Sequence, residues 1–140
     1  TDSVRVAWRE EAAALDVGDL TAAVEVNLAT WFDGPHRAPG DVDPELRAWV
    51  GRMQADVFAH GLAGDEEELR PGPGERLGDL NMPVCVVTGS LDQRWVLDCA
   101  DHLAGSLPDV ELHAVEDVAH LPSVEAPDRV TELLLDVLGT

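Results

Sequence analysis

Two residues in the last third of the chain have the types and the setting that acid–base chemistry requires. Asp92 follows the apolar segment 83–88 across a short turn, and His120 follows the segment 110–115. If both segments are strands, each side chain lies on a loop at the carboxyl end of a strand, where open α/β sheets place their active sites. A carboxylate that orients an imidazole lets it take a proton from a nucleophile. The pair therefore predicts a catalytic acid, Asp92, and a catalytic base, His120.

Each of the two residues also has a simpler interpretation. An aspartate after a strand is often a turn residue or a helix cap, and a single histidine on a loop is often only solvated. Their joint placement favours catalysis, because adjacent parallel strands bring the loops after both strands to one edge of the sheet.

The first sixty residues predict three amphipathic helices, because apolar side chains recur there at helical spacing. Capping residues and breakers set the ends of these helices. The predicted helices run from Asp2 or Ser3 to Gly18, from Asp19 to Gly34, and from Asp43 to Gly61 or Gly64. Each has an apolar stripe, so each must pack against another element.

A linker is predicted at residues 65–74, where a run of acidic residues precedes alternating proline and glycine. After it, strands at 83–88 and 110–115 alternate with helices at 96–107 and 128–138, which indicates a parallel α/β arrangement. The first strand is apolar at successive positions, as in strands buried on both faces of a parallel sheet. Since two strands rarely form a stable sheet alone, we expect the chain to be part of a larger one.

The composition excludes several classes of function. The net charge is −19, from 28 acidic residues and nine basic residues that are all arginine, which disfavours binding to nucleic acid or to anionic membranes. No apolar run is long enough to cross a bilayer. Cys85 and Cys99 have no zinc-ligand spacing, and we expect them to be free thiols in a reducing cytoplasm.

Two motifs in the second half resemble those of the α/β-hydrolase fold family. Residues 82–92 match a strand of the form P-V-x-V-x-x-G-x-x-D that delivers the triad acid in this family. Residues 118–127 match a loop of the form G-H-x-x-x-x-E-x-P that delivers the triad histidine. Asp92 and His120 are the matching positions, and their separation of 28 residues is usual for the family. Ala119 stands where the family most often has glycine, and Glu125 is expected to shape the loop.

The resemblance implies an α/β fold, namely the C-terminal part of an α/β-hydrolase parallel sheet preceded by a helical cap. Residues 1–66 would form the cap and residues 67–140 the C-terminal strands and helices of the core. It also implies a serine-type hydrolase that acts on a small carboxylic ester or lactone and uses no metal or organic cofactor. Beneath the cap, Trp31 and Trp95 are candidate substrate-binding residues, although core packing is the commoner role of a tryptophan.

The nucleophile of such an enzyme is not among the motifs of this sequence. In the family, Gly-x-Ser-x-Gly precedes the cap, and none of the four serines lies in that motif. We therefore expect a companion N-terminal segment to carry the nucleophile. The alternative is a non-catalytic hydrolase fragment that acts as a binding or assembly module. A complete flavodoxin-like binding domain is a third interpretation, which the count of two strands disfavours.

Overall fold

The computed structural model describes residues 2–61, 70 and 72–139. Its first half is helical. The elements are helix α1 (Asp2–Asp16), helix α2 (Leu20–Asn27), a π-helical turn (Leu28–Asp33), a 3-10 turn (Pro39–Asp41) and helix α3 (Pro44–His60). The three predicted helices are thus confirmed, and the π-helical turn is new.

The helix ends follow the predicted capping residues. Asp19 accepts a hydrogen bond from the backbone N–H of Ala22 (3.0 Å), and Asp43 caps α3 in the same way. Gly18 and Gly61 end α1 and α3 with φ angles of 76° and 66°, a region that glycine enters without a steric penalty. The alternative end at Gly64 lies outside the described residues.

The second predicted helix changes its hydrogen-bonding pattern before it ends. The sequence pattern indicated a regular helix from Asp19 to Gly34, but α2 continues from Leu28 to Asp33 as a π-helical turn. This wider turn buries Phe32 and Asp33 together. Leu28 and Phe32 then form a core cluster with other apolar side chains of the helical half, and two residues from beyond β2 pack against it. The cluster contains Leu28, Phe32, Val42 and Val50, packed against Val24, Leu46, Leu121 and Val124.

The second half alternates strands and helices. It comprises a 3-10 turn (Pro73–Asp79), strand β1 (Val84–Gly89), helix α4 (Arg94–Ser106), strand β2 (Val110–Val115), the short helix α5 (Pro122–Glu125) and helix α6 (Pro127–Leu138). The two strands are parallel and in register from Val84↔Val110 to Gly89↔Val115, as expected for a crossover through α4. The predicted boundary between residues 66 and 67 lies outside the described residues.

Strand β1 is less buried than its sequence indicated. Burial on both faces was expected, yet its first four residues are only half-buried, and full burial begins at Thr88. A strand of this type becomes fully buried when it has neighbours on both edges and helices on both faces. Within the described part of the chain, β1 pairs with β2 along one edge. The described residues supply neither a second neighbouring strand nor full cover for β1, so burial on both faces within a larger sheet stays a prediction.

Both cysteines are free, as predicted. Partial burial, with a smaller contribution from the negative charge of Glu111, raises the pKa of the Cys85 thiol above its ordinary value, so Cys85 stays a neutral thiol at neutral pH. Of the helices described, none combines the length and apolar character that crossing a bilayer requires.

Candidate active site

The loops that follow β1 and β2 are hydrogen-bonded to each other beyond the ends of the strands. The backbone N–H of Ser90 donates to the carbonyl of Val115 (2.8 Å), and that of Leu91 donates to the carbonyl of Val118 (2.9 Å). The Ser90 hydroxyl accepts from the N–H of Asp117 (3.0 Å). The parallel pairing thus brings the aspartate loop and the histidine loop to one edge, as the sequence predicted.

Asp92 and His120 meet at this edge. The Oδ2 atom of Asp92 lies 2.8 Å from Nδ1 of His120, and its Oδ1 atom accepts from the backbone N–H of Gln93 at 2.6 Å. Asp92 is 2% exposed, whereas the His120 side chain is 40% exposed. An ionised carboxylate can only accept hydrogen bonds, so pairing with ionised Asp92 places a proton on Nδ1, and in a neutral ring this leaves Nε2 as the acceptor. This arrangement suits a general base.

The π-helical turn holds both loops through its backbone carbonyl groups. The carbonyl of Trp31 accepts from the backbone N–H of His120 (3.1 Å), and the carbonyl of Thr30 accepts from Nε2 of Gln93 (2.8 Å). The indole of Trp31 also lies against the imidazole of His120, with 4.7 Å between ring centroids and 45° between ring planes. The helical half therefore fixes the position of the histidine and of the residue next to the aspartate.

The histidine loop packs against two glycines. Ala119 is fully buried, with its methyl group towards Gly34 and its backbone carbonyl against Gly89. A Cβ atom on Gly34 would lie 2.8 Å from that of Ala119. Ala119 has no positive φ angle, so alanine is compatible with the backbone at this position. The departure from the glycine of the motif is therefore accommodated by the absence of a side chain on Gly34.

Several known proteins are similar to parts of this chain in sequence or in fold. No protein-family model matches the chain. A 2-hydroxy-6-oxononadienedioate/2-hydroxy-6-oxononatrienedioate hydrolase from Paraburkholderia phymatum is 33% identical over 88 residues, which cover 63% of this chain and 30% of that protein. Among solved structures, MenH from S. aureus aligns with a TM-score of 0.68 at 16% identity, over 99% of this chain and 53% of that chain.

A second solved structure also has a similar fold. Est816, described as an N-acyl homoserine lactone degrading enzyme, aligns with a TM-score of 0.60 at 22% identity, over 89% of this chain and 49% of that chain. The chain carries the C-terminal part of an α/β-hydrolase fold. It spans about half the length of the two solved structures, and its match covers 30% of the curated relative.

In this partial α/β-hydrolase fold, the two candidate tryptophans occupy different places. Trp31 lies beside His120, whereas Trp95, near the start of α4, packs edge-to-face on Trp8 of α1 with 6.1 Å between ring centroids. The structure thus brings Asp92, His120 and Trp31 together and places Trp95 against the first helix. Substrate binding by either tryptophan stays a prediction. Among the described residues, no group of three or more His, Cys, Asp or Glu side chains could hold a metal ion.

The sequence analysis did not predict two ion-paired arginines that lie near the site. Arg37 pairs with Glu125 across the contact between the helices and the histidine loop (2.6 Å). Arg47 binds the buried Asp33 through Nε and Nη2, each 2.9 Å from one carboxylate oxygen, and also contacts Glu25. The hydrogen bonds to Asp33 and, next in size, to Glu25 raise the pKa of the Arg47 guanidinium above its ordinary value.

The close approach of the histidine loop to Gly89 gives a stability prediction. A Cβ atom on Gly89 would overlap the backbone carbonyl oxygens of Val118 and Ala119. We expect Gly89→Ala to lower the free energy of unfolding by at least about 2 kcal/mol, because backbone rather than a flexible side chain must move. Urea unfolding followed by circular dichroism measures the change.

The matched control is Gly105→Ala in α4, where no atom outside the adjoining residues and the helix's own backbone lies within 4 Å of the added Cβ. The same chemical change there should stabilise the protein by up to about 1 kcal/mol, since glycine is a poor helix former. Equal effects of the two variants would contradict the contact between Gly89 and the histidine loop.

Proposed function

We propose that this chain supplies the acid and the base of a serine-type α/β-hydrolase that acts on a small carboxylic ester or lactone. One observation carries the proposal: a buried carboxylate, Asp92, accepts a hydrogen bond from the half-exposed imidazole of His120 at the carboxyl ends of two parallel strands. The lactone-degrading activity named for Est816 supports the substrate class.

The residues would act in the following way. A serine hydroxyl from a companion N-terminal segment attacks the ester carbonyl, and Nε2 of His120 takes its proton. The resulting imidazolium, stabilised by Asp92, returns the proton to the leaving alcohol as the C–O bond breaks. Water then attacks the acyl-serine with the same help, and the acid product leaves with the enzyme restored. The face of Trp31 beside His120 would contact the acyl group, and Trp95 is the second candidate for substrate binding.

One of the comparisons favours a second reaction class, the hydrolysis of a carbon–carbon bond. The relative from P. phymatum, 33% identical over the 88 matched residues, is named as a hydrolase of a hydroxy-oxo-dienedioate. Asp92 and His120 would have the same roles in hydrolysis of a carbon–carbon bond next to a ketone. Comparing turnover of a nitrophenyl ester, a lactone and a 2-hydroxy-6-oxo-dienoate by the intact protein distinguishes these classes.

Activity-based labelling tests the serine hydrolase assignment. A fluorophosphonate probe should label a serine within Gly-x-Ser-x-Gly on a segment that accompanies these 140 residues, and intact-mass analysis should locate it. The His120→Ala variant should lose the label, because the serine is then not activated. If the 140 residues fold alone and bind no probe, the alternative of a non-catalytic binding or assembly module replaces the proposal.

A further inference from the structure

The guanidinium group of Arg37 uses all of its N–H groups in hydrogen bonds. Arg37 lies on the connection between the π-helical turn and the 3-10 turn that precedes α3. Its Nε donates to the carbonyl of Asp33 (2.9 Å), and one Nη2 hydrogen goes to the carbonyl of Phe32 (2.6 Å). The remaining three bonds reach the histidine loop: two to the carboxylate of Glu125 (2.6 and 3.1 Å) and one to the carbonyl of Asp117 (3.2 Å). Five donors, the full number that arginine has, are thus engaged.

The acceptors of these bonds lie on both sides of His120 in the sequence. Asp117 precedes the histidine by three residues, and Glu125 follows it by five. The Oε1 atom of Glu125 also accepts from the backbone N–H of Ala119 (3.0 Å), the residue directly before His120. One guanidinium group therefore closes the histidine loop from both ends and connects it to the π-helical turn.

The backbone of His120 is fixed by the same part of the helical half. Its N–H donates to the carbonyl of Trp31, the residue before Phe32, whose own carbonyl binds Arg37. The contacts of the loop through Arg37 and through Trp31 thus converge on one turn of helix. A shift of that turn would move the imidazole relative to Asp92.

Burial makes this contact different from a surface ion pair. The side chains of Arg37 and Glu125 are 12% and 9% exposed. Breaking a pair of this kind leaves a desolvated charge without its partner, so the loop would have to rearrange. Asp117, which Arg37 also holds, has a φ angle of 60°, a left-handed conformation that few residues other than glycine adopt. Arg37 thus contacts the loop at Asp117, the only non-glycine residue with a positive φ angle in the described part of the chain.

We propose that Arg37 is a positioning residue for His120: it binds Glu125 and Asp117 on either side of the histidine and so fixes the imidazole against Asp92. This inference rests on the proposed function, in which His120 is the base. Lysine cannot replace the arginine, because an ammonium group has three donors and no planar fork that matches a carboxylate and three carbonyl groups together.

The first measurement concerns structure rather than activity. In the intact protein, hydrogen exchange of the Ala119 and His120 amides is compared with that of the β1 amides. We expect Arg37→Met to speed exchange at Ala119 and His120 about tenfold or more relative to β1. The loop then loses the hydrogen bonds that Arg37 donates to Asp117 and to Glu125. Arg129→Met, which breaks an exposed pair with Glu132 on α6, is the matched control and should leave these ratios unchanged.

The second measurement is kinetic. With a nitrophenyl ester, Arg37→Met should lower kcat about 100-fold with little change in KM, as expected when a catalytic group is misplaced. Arg37→Lys keeps the charge and serves as the more conservative variant if Arg37→Met impairs folding. It should recover less than about a tenth of the lost kcat. Full recovery by lysine would overturn the proposal, because charge alone would then suffice.

The two measurements separate this inference from the proposed function. If exchange at Ala119 and His120 rises only in parallel with exchange in β1, Arg37 stabilises the whole fold and the positioning role is wrong. That result stands whether or not the protein hydrolyses esters. If His120→Ala keeps its activity while Arg37→Met loosens the loop selectively, the proposed function fails and the positioning of His120 by Arg37 remains.

Discussion

Replacing His120 with alanine is expected to lower kcat for a nitrophenyl ester by about 10⁴-fold or more in the intact protein. The imidazole is the group that would remove the proton from the nucleophile, and the Asp92 carboxylate, which is 2% exposed, is not accessible to take over that role. Folding should be little affected, since the His120 side chain is 40% exposed and its backbone hydrogen bond to Trp31 survives the change.

The measurement is steady-state hydrolysis, with circular dichroism to confirm that the variant is folded. His102→Ala is the matched control, because His102 is an exposed histidine on α4 and has no place in the proposed mechanism. It should hydrolyse the ester at the wild-type rate. Turnover by His120→Ala within a few-fold of wild type would remove His120 from the mechanism, and with it the proposed role of Asp92.

The second large effect concerns the ion pair at the end of the π-helical turn. We expect Arg47→Met to lower the free energy of unfolding by about 3 kcal/mol or more. The substitution keeps much of the apolar stem of arginine but leaves the carboxylate of Asp33, which is 2% exposed, without the three hydrogen bonds from Arg47 that balance its burial. Urea unfolding of the intact protein measures the loss.

The control for this prediction is the second ion pair of Arg47, which it makes with Glu25. Glu25 is 57% exposed, so Glu25→Gln should change the free energy of unfolding by less than about 0.5 kcal/mol. Adding Asp33→Asn to Arg47→Met should restore part of the stability, because the buried charge is then removed together with its partner. If Arg47→Met costs no more than Glu25→Gln, the buried pair is not what stabilises the turn.

Features encoded by neighbouring residues were predictable from the sequence. Asp19 and Asp43 cap their helices because a capping side chain binds N–H groups two or three residues further on. The pairing of Asp92 with His120 followed from two strand-like segments and the rule that parallel strands end at one edge. Each of these inferences needed only local pattern and one general rule of topology.

Features that depend on distant residues were not predictable. Arg37 and Glu125 are separated by 88 residues, and no pattern in the sequence pairs one of nine arginines with one of 28 acidic residues. The π-helical turn was missed because its apolar spacing resembles that of an ordinary helix, and the buried Asp33 was missed because its burial depends on Arg47. The half-buried state of β1 depends on its sheet neighbours and not on its own residues.

The separation of these contacts along the chain has a consequence for the order of folding. Asp92 and His120 belong to one strand–helix–strand unit and are 28 residues apart, whereas the bond between Arg37 and Glu125 joins residues 88 apart. Closing the longer loop costs more chain entropy, so the aspartate–histidine pair should form first and the arginine contact late. During synthesis the arginine emerges first but acquires its partner only after the whole unit is complete. The contact that positions His120 would then form only after the aspartate–histidine pair.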